Sequence, residues 1–242
     1  MTPAYCGPAP VPETLMTAWN ADLAALALCA VLIVAHGGRG RRAGRLPLAL
    51  AVTLVLVLFV SPLCALTVAL FSARVAHQGL LVAVAAPLLA LAFPERGGAR
   101  RFSLSALVIL HAAIVWLWHA PPVYEVAIRG ALPYWAMQLT LLGSAVLLWR
   151  RILSPRTGTG PALAALLATA TQMGMLGALL TFARQPLYAP HADTTIPYGL
   201  TPLADQQLAG LVMWVPAALP YLLAAALLVG ARLDQPSAPA GR

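Results

Sequence analysis

Charge is the scarcest property of this sequence. Aspartate, glutamate, lysine and arginine make up 9 % of its 242 residues, while 61 % are hydrophobic; a soluble domain carries about a quarter charged residues. A water-soluble fold of this size leaves much of its surface wet, so an ordinary cytosolic enzyme and a disordered chain are both excluded. Lysine is absent, and all 15 basic residues are arginines. Cysteine is nearly absent too: Cys6, Cys29 and Cys64 form neither a CxxC nor an even framework, so neither a disulfide scaffold nor a structural zinc site is expected. No P-loop, HExxH, GxGxxG or Ser/His/Asp arrangement occurs, and no carboxylates are paired for hydrolysis.

What the sequence has instead is long apolar runs. A spanning helix needs about 20 mostly apolar residues to cross about 30 Å of hydrocarbon, and seven segments qualify, at 15–36, 46–70, 77–93, 103–120, 133–149, 161–182 and 207–230. The expected fold is all-α: a polytopic bundle of seven transmembrane helices over residues 15–230, with a Pro/Ala-rich solvated segment at 1–14 and a tail at 231–242. FSARVA (71–76) reads as a connection between spans.

The arginines set the orientation. A pI near 10.3 would suggest nucleic acid in a soluble protein, but here the arginines cluster between apolar runs, so the expected partner is the lipid bilayer and no nucleic acid. Because successive spans alternate sides, Arg39, Arg41, Arg42, Arg45, Arg96, Arg100, Arg101, Arg150, Arg151, Arg156, Arg232 and Arg242 share one side, and Arg74, Arg129 and Arg184 the other. The positive-inside rule then places the N-terminus outside and the C-terminus in the cytoplasm. The first span lacks the basic n-region of a signal peptide.

Polar side chains in hydrocarbon are costly, so their depth is informative. His77, His111, His119 and His191 all fall toward the outer half, as do Met137, Gln138, Met213 and the run Asp205, Gln206, Gln207; of the histidines only His36 is cytoplasmic. Gln206, Gly210 and Met213 share one helical stripe, and His111 and His119 are spaced to face one interior. Imidazole and thioether together suit copper, thioether especially Cu(I). Blander readings stand beside this one. His111 is equally well read as a neutral ring bonded to a neighbouring helix. Trp19, Trp116, Trp118 and Trp135 read as an interfacial belt, and Met173 and Met175, beside Gly174 and Gly177, read as close helix packing rather than ligands.

Three stretches carry a resemblance: HQGLLVAVAAPLL (77–89), WLWHAPPVYEVAIR (116–129) and GLTPLADQQLAGLVMWVP (199–216). The chain resembles the multi-span CtaG-like cytochrome c oxidase assembly factors, first associated with caa-type oxidases. The matching residues are His77 and Ala85 to Leu89; Trp116, Trp118, His119, Pro121 and Tyr124; and Asp205, Gln206, Gln207, Ala209, Gly210, Met213 and Trp214. The chain departs from the pattern at Gln138, where many relatives place a histidine. The resemblance implies a multi-pass protein of the bacterial inner membrane that assists copper insertion into a haem-copper oxidase and is not itself a catalyst.

The expected site is outward-facing, with His77 and His119 as metal ligands completed by His111, Met213 or Met137. Asp205, Gln206, Gln207 and Tyr124 are expected to support it by hydrogen bonding. Copper would come from a periplasmic donor and pass to an oxidase subunit. The alternatives are a b-type haem held axially by His77 and His111, and a metal-free assembly scaffold. A transporter with span 7 broken at Pro216 and Pro220 fits less well, because seven spans do not divide into equal repeats.

Overall fold

A computed structural model describes residues 4–38, 44–95 and 102–233. Among these residues all regular structure is helical: α1 (Leu23–Gly37), α2 (Arg45–Val60), α3 (Pro62–Ala69), α4 (Phe71–Leu80), α5 (Ala86–Ala92), α6 (Leu104–His119), α7 (Pro121–Ile128), α8 (Ala131–Ile152), α9 (Thr159–Thr181), α10 (Pro202–Trp214) and α11 (Leu219–Leu233). Local chemistry sets the starts. Asp22 accepts from the backbone N–H groups of Ala24 and Ala25, Ser61 from Leu63, Ser103 from Ala106 and Thr201 from Ala204, each satisfying a donor that the first helical turn leaves open. Prolines 62, 121 and 202 stand at first helical positions, where no N–H is needed.

Each of the seven apolar segments is occupied by helix, but four helical runs are long and apolar enough to cross a membrane unbroken: Phe71–Ala92, Ala131–Ile152, Thr159–Thr181 and Pro202–Leu233. Two further pairs are bent, α2 with α3 by 52° and α6 with α7 by 76°. Both bends fall at a proline (Pro62, Pro121) that cannot continue the preceding hydrogen-bond ladder. The first apolar segment contributes α1, which has 15 residues. Between α4 and α5, residues Leu81–Ala85 form a π-helical turn, which absorbs the N–H missing at Pro87.

The run Phe71–Ala92 is the central element, with 61 % of its most apolar window buried, whereas only 11 % of the Pro202–Leu233 window is. Around it α10 packs on α4 and α9, α8 on α5 and α6, and α2 on α5 and α1. FSARVA is therefore not a connection: Phe71 opens α4, and Arg74 is buried in it. Its apolar and small residues let the helix begin six residues earlier than hydropathy indicated.

The N-terminal segment also differs from the solvated end expected. Cys6 is bonded to Cys64, the Tyr5 ring stacks on Tyr134 at 4.4 Å, the Tyr5 hydroxyl donates to Asp22 at 2.8 Å, and Tyr198 donates to the Pro10 carbonyl at 3.0 Å. A single disulfide is thus present where none was expected, because the fold brings together two cysteines 58 positions apart. At the opposite end of the bundle Arg151 pairs with Glu95 at 3.0 Å. Arg39, Arg41, Arg42, Arg96, Arg100, Arg101 and Arg242, and the tail beyond Leu233, lie outside the described residues.

Helices α9 and α10 approach most closely at two glycines. A Cβ added to Gly210 would stand 2.5 Å from the Gly177 carbonyl oxygen and 2.4 Å from Thr181 Oγ1, so only glycine permits this contact. Gly210→Ala is expected to cost on the order of 1–3 kcal/mol through overpacking. Gly143→Ala, within α8 and with nothing within 4 Å of its Cβ, should not destabilise and should gain up to about 1 kcal/mol; thermal unfolding in detergent compares the two.

Candidate functional site

The polar residues singled out by sequence are nearly all buried at one end of the bundle, and they divide into two sets. The first holds the scaffold together. Asp205, on the first turn of α10 and fully buried, accepts from the backbone N–H of Phe71 at 2.6 Å, from the N–H of Ser72 at 3.2 Å, and from the Ser72 hydroxyl. A carboxylate is thereby set against the positive end of α4 by a different helix. Gln206 accepts from Leu187 N–H at 2.6 Å and donates to the Gln185 carbonyl at 3.3 Å, and Gln207 donates to the Ala183 carbonyl at 3.1 Å. The two glutamines therefore pin the loop that follows α9. Tyr188 of that loop donates to the backbone carbonyl of His119 at 2.7 Å. Apart from the Ser72 hydroxyl, the hydrogen-bond partners of Asp205, Gln206 and Gln207 are thus backbone groups, where open N–H and C=O groups need partners, and not a histidine ring. The Tyr124 hydroxyl is 2.7 Å from His191 Nε2; the other ring nitrogen of His191 faces the Ala69 carbonyl at 3.4 Å, so Tyr124 donates.

The second set lines a small, partly open cavity between α4, α6, α8, α9 and α10. Its walls are Val75, Gln78, Gly79, Val82, Val115, His119, Leu141, Met173, Met213 and Ala217, and its volume is about 10 Å³. His119 Nδ1 lies 2.7 Å from the Val115 carbonyl oxygen, an acceptor only, so Nδ1 carries the proton and Nε2 keeps a lone pair. That Nε2 is buried and has no hydrogen-bond partner. His119 thus lines the cavity together with Met173 and Met213, and the surface the cavity exposes is apolar.

The remaining expected ligands lie outside these walls. Helical spacing turns His77 away from the face of α4 that carries Val75, Gln78 and Gly79; its ring meets Phe59 edge-on at 4.9 Å, and both its nitrogens are buried without partners. His111 Nδ1 is 2.9 Å from Ser144 Oγ, the helix-to-helix bond that the blander reading anticipated. Met137 is buried, and Gln78 Nε2 donates to its sulfur at 3.4 Å. Both side-chain polar atoms of Gln138 are buried without partners. Among the described residues no three His, Cys, Asp or Glu side chains are grouped to hold a metal ion.

Sequence reasoning passed over several residues here. Met173, read as packing, is buried and lines the cavity beside Met213, while Met175 is exposed. Its signal was a shared pattern: Met173 and Met213 each lie within one turn of a glycine, Gly177 and Gly210, that draws the two helices together. Arg74 is buried over the Tyr134 ring, 5.3 Å from its centroid, with Nε and Nη1 unpartnered.

A model of the family described as cytochrome c oxidase caa3 assembly factor matches residues 27–234. No curated protein and no solved structure matches the chain.

Two expectations follow from the scaffold. Asp205→Ala strands three buried donors at the start of α4 and should cost about 1–3 kcal/mol, read as a lowered melting temperature in detergent, with Asp205→Asn less affected. His191 should make stability pH-dependent. Burial, and then the Arg74 charge, lower its pKa from the usual 6.5 to about 4, so between these values the unfolded chain binds the extra proton. Its contribution is fully present above pH 6.5, is lost as pH falls toward 4, and levels off below; His191→Phe should flatten the slope in that window.

Proposed function

The chain belongs to the cytochrome c oxidase caa3 assembly factor family, and from that premise we propose that it assists copper insertion into a haem-copper oxidase. It acts from the bacterial inner membrane through the cavity at its outer end, without catalysing a reaction of its own. It crosses the bilayer seven times, through α1, α2–α3, α4–α5, α6, α8, α9 and α10–α11. At about 1.5 Å per residue α1 is shorter than the hydrocarbon core, a mismatch that bilayers accommodate by local thinning.

Two independent features support an outside N-terminus. Described arginines 45, 150, 151, 156 and 232 flank the end opposite the cavity, as the positive-inside rule asks of a cytoplasmic face. The Cys6–Cys64 bond sits at the cavity end, and disulfides persist on the oxidising side of the membrane.

The observation that carries the copper reading is the buried, unpartnered Nε2 of His119, a residue that lines one small cavity together with Met213. An orphaned buried lone pair is costly unless something occupies it, and imidazole with thioether is a soft donor pair suited to copper. Copper is cargo here: a periplasmic donor supplies it, His119 and Met213 hold it, and an oxidase subunit in the same bilayer receives it. His77 and His111, placed off the cavity, belong to the polar interior of the bundle and not to the same ion. Asp205, Gln206, Gln207 and Tyr124 act at one remove, fixing α4 and the outer loop.

The test is a strain carrying His119→Ala in place of the wild-type chain, with accumulation of the variant checked by immunoblot. The oxidase it assembles should keep its haem spectrum and lose copper by elemental analysis. A full copper complement would refute the reading.

A further inference from the structure

Helix α11 stands off the rest of the bundle: of Leu219–Leu233 only Tyr221 is buried. Between α11, residues 83–91 and α8 lies a groove of about 730 Å³, open along one side. We infer that this groove binds one anionic phospholipid, with its acyl chains along the apolar walls and its headgroup phosphate at the Arg150 guanidinium. The inference rests on the membrane orientation proposed above and is independent of copper.

The walls set the first condition. Leu91, Leu153, Leu223 and Leu227 are among them, and every wall residue is apolar apart from the Trp149 indole. That indole N–H donates to the Val82 carbonyl at 3.0 Å, and the ring stacks on Tyr221 at 5.1 Å, so this wall is fixed by the protein itself. In hydrocarbon an unfilled groove forfeits the dispersion contacts of its lining, and with no polar group free in the walls the filler must be apolar. Size decides between the apolar candidates. The α11 wall, residues 219–227, is about 12 Å long at about 1.5 Å per residue. Over that length the groove volume of about 730 Å³ gives a cross-section of about 60 Å², whereas a helix about 10 Å across needs about 80 Å². Acyl chains enter where a helix of another subunit does not. The sequence beyond Leu233 begins with Asp234 and Gln235, which suit no apolar groove.

Charge sets the second condition. Arg150 stands on α8 between the wall residues Trp149 and Leu153, and three residues from Leu147. The i, i+3 spacing turns it to the same side as Leu147, which is exposed and so faces lipid. Its Nη2 reaches the Pro94 carbonyl at 3.5 Å, three residues past Leu91, so the guanidinium spans α8 and the end of α5 where the groove finishes. Among the described residues no carboxylate pairs with it: Glu95 is taken by Arg151 at 3.0 Å, and Arg150 Nε has no partner. A half-buried guanidinium in that state complements a phosphate, and basic pockets between helices on the cytoplasmic side hold anionic headgroups.

The experiment is native mass spectrometry of the purified full chain, equilibrated in detergent with equal amounts of dioleoylphosphatidylglycerol and dioleoylphosphatidylcholine. The wild type should retain one phospholipid per chain and prefer phosphatidylglycerol by about fivefold, the effect of one arginine on an anionic lipid. Arg150→Gln should retain a lipid with the preference lost, while Arg45→Gln, an exposed arginine at the same end, should keep it. Leu223→Trp, which fills the groove from an exposed wall position, should retain neither lipid; Leu167→Trp, exposed on α9, should behave as wild type. Equal retention of both lipids by the wild type, an unchanged preference in Arg150→Gln, or unchanged retention in Leu223→Trp would overturn the inference. A wild-type dimer that Leu223→Trp splits into monomers would overturn it as well, assigning the groove to a second copy of the chain. Arg150→Gln leaves the walls intact and decides the matter even where Leu223→Trp lowers the melting temperature. None of these results alters the copper reading, whose test is at His119.

Discussion

The carboxylate of Asp205 against the N-terminus of α4 is the contact on which the arrangement of the cavity end of the bundle depends. α4 opens the most deeply buried run of the chain, and its first N–H groups face no water that could satisfy them. Asp205 supplies the missing acceptor from α10, 134 positions along the chain from Phe71. That single group fixes the height of α4 relative to α10, and with it the relation of Gln78 and Gly79 to Met213. In a bilayer, apolar surface alone gives helices little reason to choose one axial register over another; a charge-assisted bond at a helix end does.

The same logic explains the run of polar residues after Asp205. Gln206 and Gln207 hold the loop after α9, and that loop returns through Tyr188 to the last carbonyl of α6. Three helices and one loop are thereby tied at one end of the bundle, and the His119 carbonyl is held by Tyr188 while its ring nitrogen Nε2 stays buried. The polar groups and the cavity are one construction, in which the first set places the second.

The architecture was largely legible in the sequence because hydropathy and helix length are properties of contiguous residues. The seven apolar segments, and the burial of His77, His119, Asp205 and Met213 at one end, follow from such local facts. What escaped was pairwise. Cys6 meets Cys64 only once α1, α2 and α3 are folded, and no spacing rule encodes that. The 71–76 stretch looked like a connection because Arg74 and Ser72 are polar, but tertiary partners for Ser72 and the Tyr134 ring beneath Arg74 let both be buried. The expectation that His77 and His119 share one site came from their common depth. Depth fixes a position along the axis and leaves the direction around it open, and the directions differ.

The glycine contact between α9 and α10 has a mechanical side. With the Gly177 carbonyl lying where a Gly210 side chain would stand, the two helices cannot slide past each other without backbone collision, so they behave as one rigid pair. Across from them α6 ends at His119 and turns by 76° into α7. Relative motion at this end of the bundle is therefore displaced from the glycine pair onto that elbow.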